Sequence, residues 1–257
     1  MNDICYFSNP ITQAIARIDF LNQVDDFKKK KLPTSLLKEI KKYFPVAEPV
    51  EKKERQFSFT IQKGSFNKKN KLLEKTVREW IFFTKDRTKK LVITHQCMFV
   101  VHFSYEGKDN FHNHFSKIMK AIYRSIPDLQ SKRFGMRYIN IVKKSKGNPY
   151  NWRQYINKNL LSAFNVPDDK EPIARIVSNI ELNFDYYMIR FVYGITNPDF
   201  PAKIKKHEFL LDFDVYCTGM MDKEEIESCF VDFHKKIQHY FEKSITAKYK
   251  AMLNEKV

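Results

Sequence analysis

Short β-rich runs follow one another in groups along this chain, and helical patterns separate the groups instead of following every strand. Alternation of apolar and polar residues predicts strands over residues 15–20, 57–61, 80–84, 91–95, 98–103, 133–142, 174–184, 187–195 and 208–216. Neighbouring strands joined by short turns pair antiparallel. The sequence therefore predicts an α+β fold with a largely antiparallel sheet and helices packed on it, and not a doubly wound parallel sheet.

Apolar residues at helical spacing predict four helices. One stripe runs from Leu36 to Phe44, and Pro45 ends it. The others cover residues 111–126, 150–164 and a segment that begins at Asp222. Glu225 stands three residues after Asp222, which is the spacing of a capping box and marks a helix start.

The chain has 257 residues, a length that fits one large domain or two small ones. Segment 148–257 repeats the strand and helix order of segment 1–147, although no residue-level repeat is visible. We expect a single compact unit over 1–257, with these two segments as candidate halves. A chain this long buries roughly 70–75% of its unfolded surface, which is enough for a substantial core.

The chain carries 46 lysines and arginines against 30 aspartates and glutamates, a formal net charge of +16. An excess of this size favours a nucleic acid or another polyanion as the partner. A composition rich in lysine, asparagine and phenylalanine, with only 6 glycines, is also typical of an AT-rich genome. Composition bias is therefore the competing explanation for the charge.

The cysteines, the N-terminus and the hydropathy pattern favour the cytoplasm. Cys5, Cys97, Cys217 and Cys229 are far apart and form no C-x-x-C pair, so neither a disulfide framework nor a zinc ribbon is predicted. Residues 1–20 lack the pattern of a signal peptide, and no apolar run approaches the roughly 18 residues of a membrane span. We expect a cytoplasmic protein with reduced thiols and no membrane contact.

A strand with the pattern R-x-G-x-R is the most distinctive stretch of the chain. It places Arg133, Gly135 and Arg137 on one face. Two guanidinium groups beside a position without a side chain could receive a phosphate or a carboxylate in bidentate fashion. The alternative is internal, because Asp212 and Asp214 share one face of the last predicted strand, and cross-strand ion pairs would fill the same space.

Other candidate chemistry is weak. Asp212 and Asp214, with Glu208 on the same strand face, could begin a magnesium site, but no second acidic cluster accompanies them. Histidines at positions 95, 102, 112, 114, 234 and 239 lack the number and spacing of zinc ligands. The sequence has no G-x-S-x-G elbow, no P-loop and no G-x-G-x-x-G. We therefore predict no cofactor and no catalytic residue, and a role without catalysis is favoured.

Lysines and arginines gather in several predicted loops and turns. They are the run 28–31, the loop positions Lys68, Lys69 and Lys71, the hairpin positions Lys85, Arg87, Lys89 and Lys90, the positions Lys143, Lys144 and Lys146, and the positions Lys203, Lys205 and Lys206. If several clusters lie on one side with Phe57, Phe59 or Tyr150 exposed between them, they form a groove that follows a nucleic-acid backbone. If they are scattered, they only solvate their loops.

Several short motifs together resemble a known family. They are Asn9-Pro10-Ile11, Phe44-Pro45, Arg133-Phe-Gly-Met-Arg-Tyr-Ile-Asn140, Leu211-Asp-Phe-Asp214 and, in the last predicted helix, Phe233-His234, Phe241 and Ile245-Thr246. In these stretches, which are spread over nearly the whole chain, the sequence is similar to a sporadically distributed family of prokaryotic proteins without an assigned activity. The resemblance implies a single cytoplasmic unit of this length. The patchy distribution implies an association with mobile or defence genes, and the family supplies no catalytic residue.

We expect a non-catalytic basic binding protein that engages nucleic acid, or a complex that handles nucleic acid, through its basic loops and the pair Arg133 and Arg137. The first alternative is an adaptor or regulator that binds the product of a neighbouring gene, with its charge incidental. The second alternative is a metal-dependent nuclease at Asp212 and Asp214. The sequence leaves open the oligomeric state and whether the basic clusters converge on one face.

Overall fold

The computed structural model describes residues 4–57 and 72–254. The strands in these residues are β1 (Ile11–Phe20), β2 (Val46–Ala47), β3 (Val50–Phe57), β4 (Leu72–Phe83), β5 (Lys89–Ile93), β6 (Cys97–His102), β7 (Ser131–Lys143), β8 (Ile176–Asn183), β9 (Met188–Ile195) and β10 (Glu208–Met221). The α-helices are α1 (Thr34–Tyr43), α2 (Lys108–Ser125), α3 (Lys223–Ser244) and α4 (Ala247–Asn254), and 3-10 helices cover Asp25–Lys28 and Lys158–Asn165.

The strands form one antiparallel sheet in the order β2-β4-β5-β6-β1-β7-β10-β9-β8, with β3 paired to β4. This confirms the predicted α+β fold with a largely antiparallel sheet. Helices cover one face of the sheet, where the ring of Phe134 in β7 lies 5.5 Å from that of Phe115 in α2 and 5.6 Å from that of Phe233 in α3. We call the opposite face, which the helices do not cover, the open face.

The local sequence explains the central strand and the longest helix. In β1 every second residue from Ala14 to Phe20 is buried under the helices, while Arg17 between them is exposed on the open face. Helix α3 begins at the predicted capping box. The backbone N–H of Glu225 donates to the Asp222 carboxylate at 2.8 Å, and the Glu225 carboxylate accepts from the Asp222 N–H at 2.9 Å.

The strand order is symmetric about the central pair β1 and β7. On one side follow β6, β5 and β4, and on the other side follow β10, β9 and β8. Each set of three is a meander, and a helix comes after each meander, α2 after β6 and α3 after β10. The described chain thus contains two topologically equivalent halves, each built as strand, meander and helix. They divide at residues 126–130, before β7, and not between residues 147 and 148.

The register identifies equivalent residues of the two halves. Ala16 of β1 pairs with Met136 of β7, and a two-fold axis passes between these two residues. This axis exchanges Ile15 with Gly135 and Arg17 with Arg137. Arg17 and Arg137 are therefore equivalent. The helices obey the same symmetry, because the eighth residues of α2 and α3, Phe115 and Phe230, stack on each other with ring centroids 5.3 Å apart.

Four segments differ from the prediction or lie outside the described residues. The predicted helix over 150–164 is wrong in its first part, since only Lys158–Asn165 is helical and forms a 3-10 helix. Residues 50–56, for which no strand was predicted, belong to β3, because their many charged residues hide the alternation of a strand. Of the predicted strand 57–61 only Phe57 is described. The loop 63–71, with Lys68, Lys69 and Lys71, lies outside the described residues.

Candidate functional site

The R-x-G-x-R strand lies in the middle of the open face. Arg133, Gly135 and Arg137 alternate along β7 with three buried residues of the opposite face, as predicted. The register places Gly135 between Arg17 of β1 and Tyr216 of β10. A shallow depression of about 460 Å³ lies over this centre.

Arg137 is bound by an aspartate of the neighbouring strand. Its Nε donates to Oδ1 of Asp212 at 2.8 Å and its Nη2 donates to Oδ2 at 2.5 Å, which makes a bidentate pair. Asp212 is only 5% exposed, and its hydrogen bond raises the pKa of Arg137 above the ordinary value. The N–H groups of Arg137 that would bind a phosphate in bidentate fashion thus already donate to Asp212.

Arg133 lies across Gly135. A Cβ atom at position 135 would come within 2.9 Å of Nη1 of Arg133, so the missing side chain leaves room for the guanidinium group. The same group lies 4.6 Å from the ring centre of Tyr216. It also lies 3.6 Å from a carboxylate oxygen of Asp19 and 3.9 Å from one of Asp214. The guanidinium group of Arg133 therefore covers the space above Gly135 in which an anion was predicted to bind.

Opposite charges face one another at this centre. Arg17, Arg133 and Arg137 stand among Asp19, Asp212 and Asp214. Burial raises the pKa of the Asp214 carboxyl above its ordinary value, and the nearby arginines offset this effect only in part. An incoming anion would have to displace one of these carboxylates. Binding of an anion by this strand remains a prediction. The geometry favours the alternative, in which the arginines form ion pairs within the protein.

The carboxylates of β10 are also bound by cations within the protein. Both oxygens of Asp212 accept from Arg137, and the Glu208 carboxylate lies 3.4 Å from Nζ of Lys143. Among the described residues no group of three or more histidine, cysteine, aspartate or glutamate side chains could hold a metal ion. The geometry thus gives no support to the metal-dependent nuclease.

The histidines make contacts that their spacing did not indicate. His112 forms a hydrogen bond with Glu227 of α3, whereas the ring centroid of His114 lies 5.2 Å from that of His102. His102 is fully buried, and neither of its ring nitrogens has a hydrogen-bond partner in the described part of the chain. Burial, helped by the nearby His114 and Lys89, lowers the pKa of His102 to about 3. At neutral pH this histidine is a neutral member of the core.

The basic residues of the β4–β5 hairpin are partly used inside the protein. Arg87 pairs with a glutamate before β3 at 2.5 Å, and the buried Lys89 lies 3.1 Å from a glutamate after β6. Lys90 lies over an aromatic ring of β4 at 5.9 Å, and Lys85 is exposed. Of the four predicted binding residues, Lys85 and Lys90 form no ion pair with a described carboxylate.

Two of the lysines at the end of β7, Lys143 and Lys144, are also partnered. Lys143 lies beside the carboxylate of Glu208. Lys144 donates to the carbonyl oxygens of Asn148 and Asn151, the second at 2.8 Å, and burial lowers its pKa below the ordinary lysine value. Lys144 therefore fixes the course of the chain after β7.

Three connecting segments meet at one end of the sheet, which we call the basic end. They are residues 144–175 after β7, residues 196–207 before β10, and residues 243–254 at the end of α3 and in α4. Hydrogen bonds join the first segment to each of the others, from the N–H of Lys144 to the carbonyl of His207 at 3.2 Å and from the N–H of Asn157 to the carbonyl of Ser244 at 2.8 Å. The segments form one continuous layer.

Much of the net charge lies at this end. The three segments hold twelve lysines and arginines against four carboxylates, a net charge of +8 out of the +16 of the chain. Within the described part of the chain, the connections of three or more residues at the other end of the sheet are 21–33, 94–96, 126–130 and 184–187. They hold four lysines against four aspartates and are neutral overall. The predicted clusters at 143–146 and 203–206 therefore converge, while the run 28–31 lies at the opposite end.

Several cations of the basic end were missed from the sequence. Arg153, Lys158 and Lys248 are separated from other cations by uncharged residues, and Lys170 stands between Asp169 and Glu171, so no run of positive charge marks them. Net charge counted over whole connecting segments would have found them, because these segments contain few carboxylates.

No protein-family model and no curated protein sequence matches this chain. Within residues 4–57 and 72–254, none of the helices has both the length and the apolar character that crossing a membrane requires. The function is therefore inferred from geometry and charge.

Proposed function

We propose that this chain is a non-catalytic nucleic-acid-binding protein that contacts the phosphate backbone through its basic end. The observation that carries the proposal is the separation of charge among the described residues, with +8 in the three segments of one end and zero in residues 21–33, 94–96, 126–130 and 184–187 of the other. Cations that lie close together gain most from a polyanion, because each neutralised phosphate releases condensed counterions. The hydrogen bonds between the three segments support the proposal, since they hold these cations in a fixed layer.

Exposed cations without carboxylate partners are available to phosphate. Lys146, Lys205 and Lys206 are exposed, and none of them forms an ion pair with another described residue. A phosphate can approach such a lysine without breaking an internal contact. Arg133 and Arg137 would first have to leave their aspartates. We therefore assign backbone binding to the basic end in preference to the arginine strand.

Binding across a salt series tests the proposal. A fluorescently labelled oligonucleotide of about 20 nucleotides, as DNA or RNA, is titrated with the protein at salt concentrations from about 50 to 400 mM. We expect the logarithm of the association constant to fall linearly with the logarithm of the salt concentration, with a slope of about −3 or steeper. Absence of binding at the lowest salt, or a response that is flat in salt, would contradict the proposal.

A matched pair of variants locates the surface. The triple variant Lys146→Gln, Lys205→Gln, Lys206→Gln removes three charges from the basic end and should weaken binding and reduce the salt slope. The control variant Lys30→Gln, Lys31→Gln, Lys41→Gln removes three exposed charges elsewhere and should bind nearly as the wild type does. Equal losses in both variants would mean that net charge and not the basic end drives binding.

The adaptor is the second candidate, and the edge strand β8 favours it. β8 is the outermost strand on its side of the sheet, and its side chains Val177 and Ile180 are 46% and 37% exposed. An edge strand with apolar side chains can accept a strand from another protein. Co-purification with the product of a neighbouring gene at high salt, after nuclease treatment, would favour this candidate.

The family and the cellular context are part of the proposal. The motifs of β7 and β10 support membership in the sporadically distributed prokaryotic family that the chain resembles. A cytoplasmic protein in a mobile-element or defence context would meet nucleic acid there.

A further inference from the structure

A cleft of about 950 Å³ opens within the first segment of the basic end, between residues 148 and 170. The buried side chains of Trp152, Leu161 and Phe164 form its apolar floor. The cleft exists because turns replace the predicted helix over its first part. Its volume lies near the upper end of the roughly 300–1,000 Å³ typical of small-ligand sites.

Every charged side chain that lines the cleft is a cation. These side chains are Arg153, Lys158 and Lys170, and none of the three forms an ion pair within the described part of the chain. The depression over β7 is different, because Asp19 and Asp214 line it together with the arginines. The cleft therefore attracts an anion that the open face does not.

Asparagine amides line the walls of the cleft. The side-chain oxygens of Asn148 and Asn151 accept from the backbone N–H groups of Tyr150 and Arg153 at 2.8 and 3.4 Å, so their amide nitrogens remain as donors. The side chain of Asn159 makes no hydrogen bond to another described residue. The Asn159 amide thus keeps a donor and an acceptor side by side, which is the pattern that matches the edge of a nucleobase, and the other two amides add donors.

We propose that this cleft binds one nucleotide unit of a single-stranded nucleic acid. The phosphate lies against Arg153, Lys158 and Lys170, and the base lies over the apolar floor with its edge on the asparagine amides. Tyr150 also lines the cleft, and its hydroxyl donates to a backbone carbonyl at 3.2 Å, which holds the ring in place for stacking on a base. This inference rests on the proposed function and names the subsite that selects the ligand.

A single strand suits the cleft for a geometric reason. Bases in a duplex are stacked and paired, so their edges reach an amide inside a cleft only when the nucleotide is splayed out. Cations outside the cleft, such as Lys146 and Lys205, would contact the backbone of either form. Both forms should therefore bind with salt dependence, and the preference for the single strand should come from the cleft.

Two triple variants of equal charge test the inference. The cleft variant is Arg153→Gln, Lys158→Gln, Lys170→Gln, and the control is Lys146→Gln, Lys205→Gln, Lys206→Gln, which removes the same charge at the same end outside the cleft. The probes are a labelled single-stranded DNA of about 12 nucleotides and the duplex of the same sequence. We expect wild type to prefer the single strand by at least about tenfold, and only the cleft variant to lose this preference.

The outcomes separate this inference from the proposed function. Equal affinity of wild type for the single strand and the duplex, or a cleft variant that keeps the preference, overturns the inference and leaves the function intact. Failure of wild type to bind either probe at low salt overturns the function itself. Because a triple variant can misfold, the substitution Asn159→Asp is measured too. It adds one negative charge without changing size and should weaken single-strand binding by at least about tenfold, whereas Asn22→Asp at the other end of the sheet should not.

Discussion

Gly135 shows how one missing side chain decides the structure at the centre of the open face. The guanidinium group of Arg133 crosses the glycine and stacks on Tyr216. The sequence predicted the face that these residues share, because alternation along a strand is geometric. It could not predict that the space above the glycine is filled, because this depends on the direction in which a long side chain folds.

A double-mutant cycle tests the role of Gly135. In the wild-type background Gly135→Ala should lower the free energy of unfolding by about 1 kcal/mol, because the new methyl group displaces the Arg133 guanidinium. In an Arg133→Ala background the same substitution should be neutral or stabilising, since alanine is the better strand residue. Urea unfolding of the four proteins measures the coupling. Equal effects in both backgrounds would show that the contact is irrelevant.

His102 predicts a dependence of stability on pH. Its folded pKa of about 3 lies below the ordinary value of 6.5. Between these values the unfolded chain binds a proton that the folded chain excludes, so the free energy of unfolding falls as pH falls through this window. The slope from this group is at most about 1.4 kcal/mol per pH unit.

The variant His102→Phe should remove that contribution while it keeps a ring against Phe111, whose centroid lies 4.9 Å away. Urea unfolding between about pH 4 and 6.5 measures the difference in slope from wild type. His239→Phe is the control for loss of a histidine on the outer part of α3. An unchanged slope in His102→Phe would contradict the assignment.

The pairing of Arg137 marks a limit of prediction at this scale. Alternation placed Asp212 and Asp214 on one face of β10, and the structure agrees. Asp214 lies directly opposite Arg137 in the register, yet Arg137 binds Asp212, which lies opposite Ile139. Strand twist brings diagonal neighbours within reach of long side chains. The choice between two candidate partners therefore needs the three-dimensional structure.

At the level of elements, local sequence rules succeeded where one signal dominated. The capping box at Asp222 correctly predicted the start of α3. The apolar spacing over 150–164 predicted a helix, but Asn148 just before this stretch and Asn151 and Asn157 within it accept hydrogen bonds from backbone N–H groups two residues ahead. These bonds compete with helical hydrogen bonds. Side chains that favour turns therefore prevent a helix over the first part of this stretch despite its apolar stripe. The cleft lies where these turns replace the helix.

The contact of β10 with α3 contains two thiols that can be cross-linked. Sγ of Cys217 lies 3.9 Å from Sγ of Cys229, and the hydrogen bond with Cys229 lowers the pKa of the Cys217 thiol below its ordinary value. In a Cys5→Ser background, mild oxidation with diamide should join the two sulfurs, each thiol losing its hydrogen to the reagent. The number of titratable thiols should fall from three to one.

Cys229→Ser in the same background is the control, and it should keep both remaining thiols under the same treatment. Loss of thiols in the control, or none in the parent, would contradict the predicted cross-link. The sequence could not indicate this pair, because twelve residues and a change from strand to helix separate the two cysteines.

At the level of the whole molecule, the fold class was predictable and the internal symmetry was not. Groups of strands separated by helices indicated the antiparallel sheet. The two halves share few residues at equivalent positions, such as Arg17 with Arg137 and Phe115 with Phe230, so comparison of residues showed no repeat. The register reveals the relation because hydrogen-bonded geometry persists after side chains have changed.

The symmetry predicts that the chain tolerates a new order of its halves. The N–H of Ser8 donates to the carbonyl of Leu253 at 3.0 Å, so the described ends are close and can be joined. A circular permutant that opens between the exposed Pro127 and Asp128 should fold with a similar circular dichroism spectrum, at a cost of about 1–3 kcal/mol. Opening inside β7, between Met136 and Arg137, should prevent folding. Failure of the first permutant would contradict the proposed division of the chain.

Joining two equivalent halves in one chain has the consequence that each half can change alone. In a homodimer every substitution occurs twice, whereas here the positions of Phe99 and Asp214 are equivalent and differ in charge. The molecule thus resembles a heterodimer made from a single gene. A symmetric dimer would present two equal basic ends and could bridge two strands. The described part of this chain presents one, so we expect it to hold one strand at a time and in one orientation.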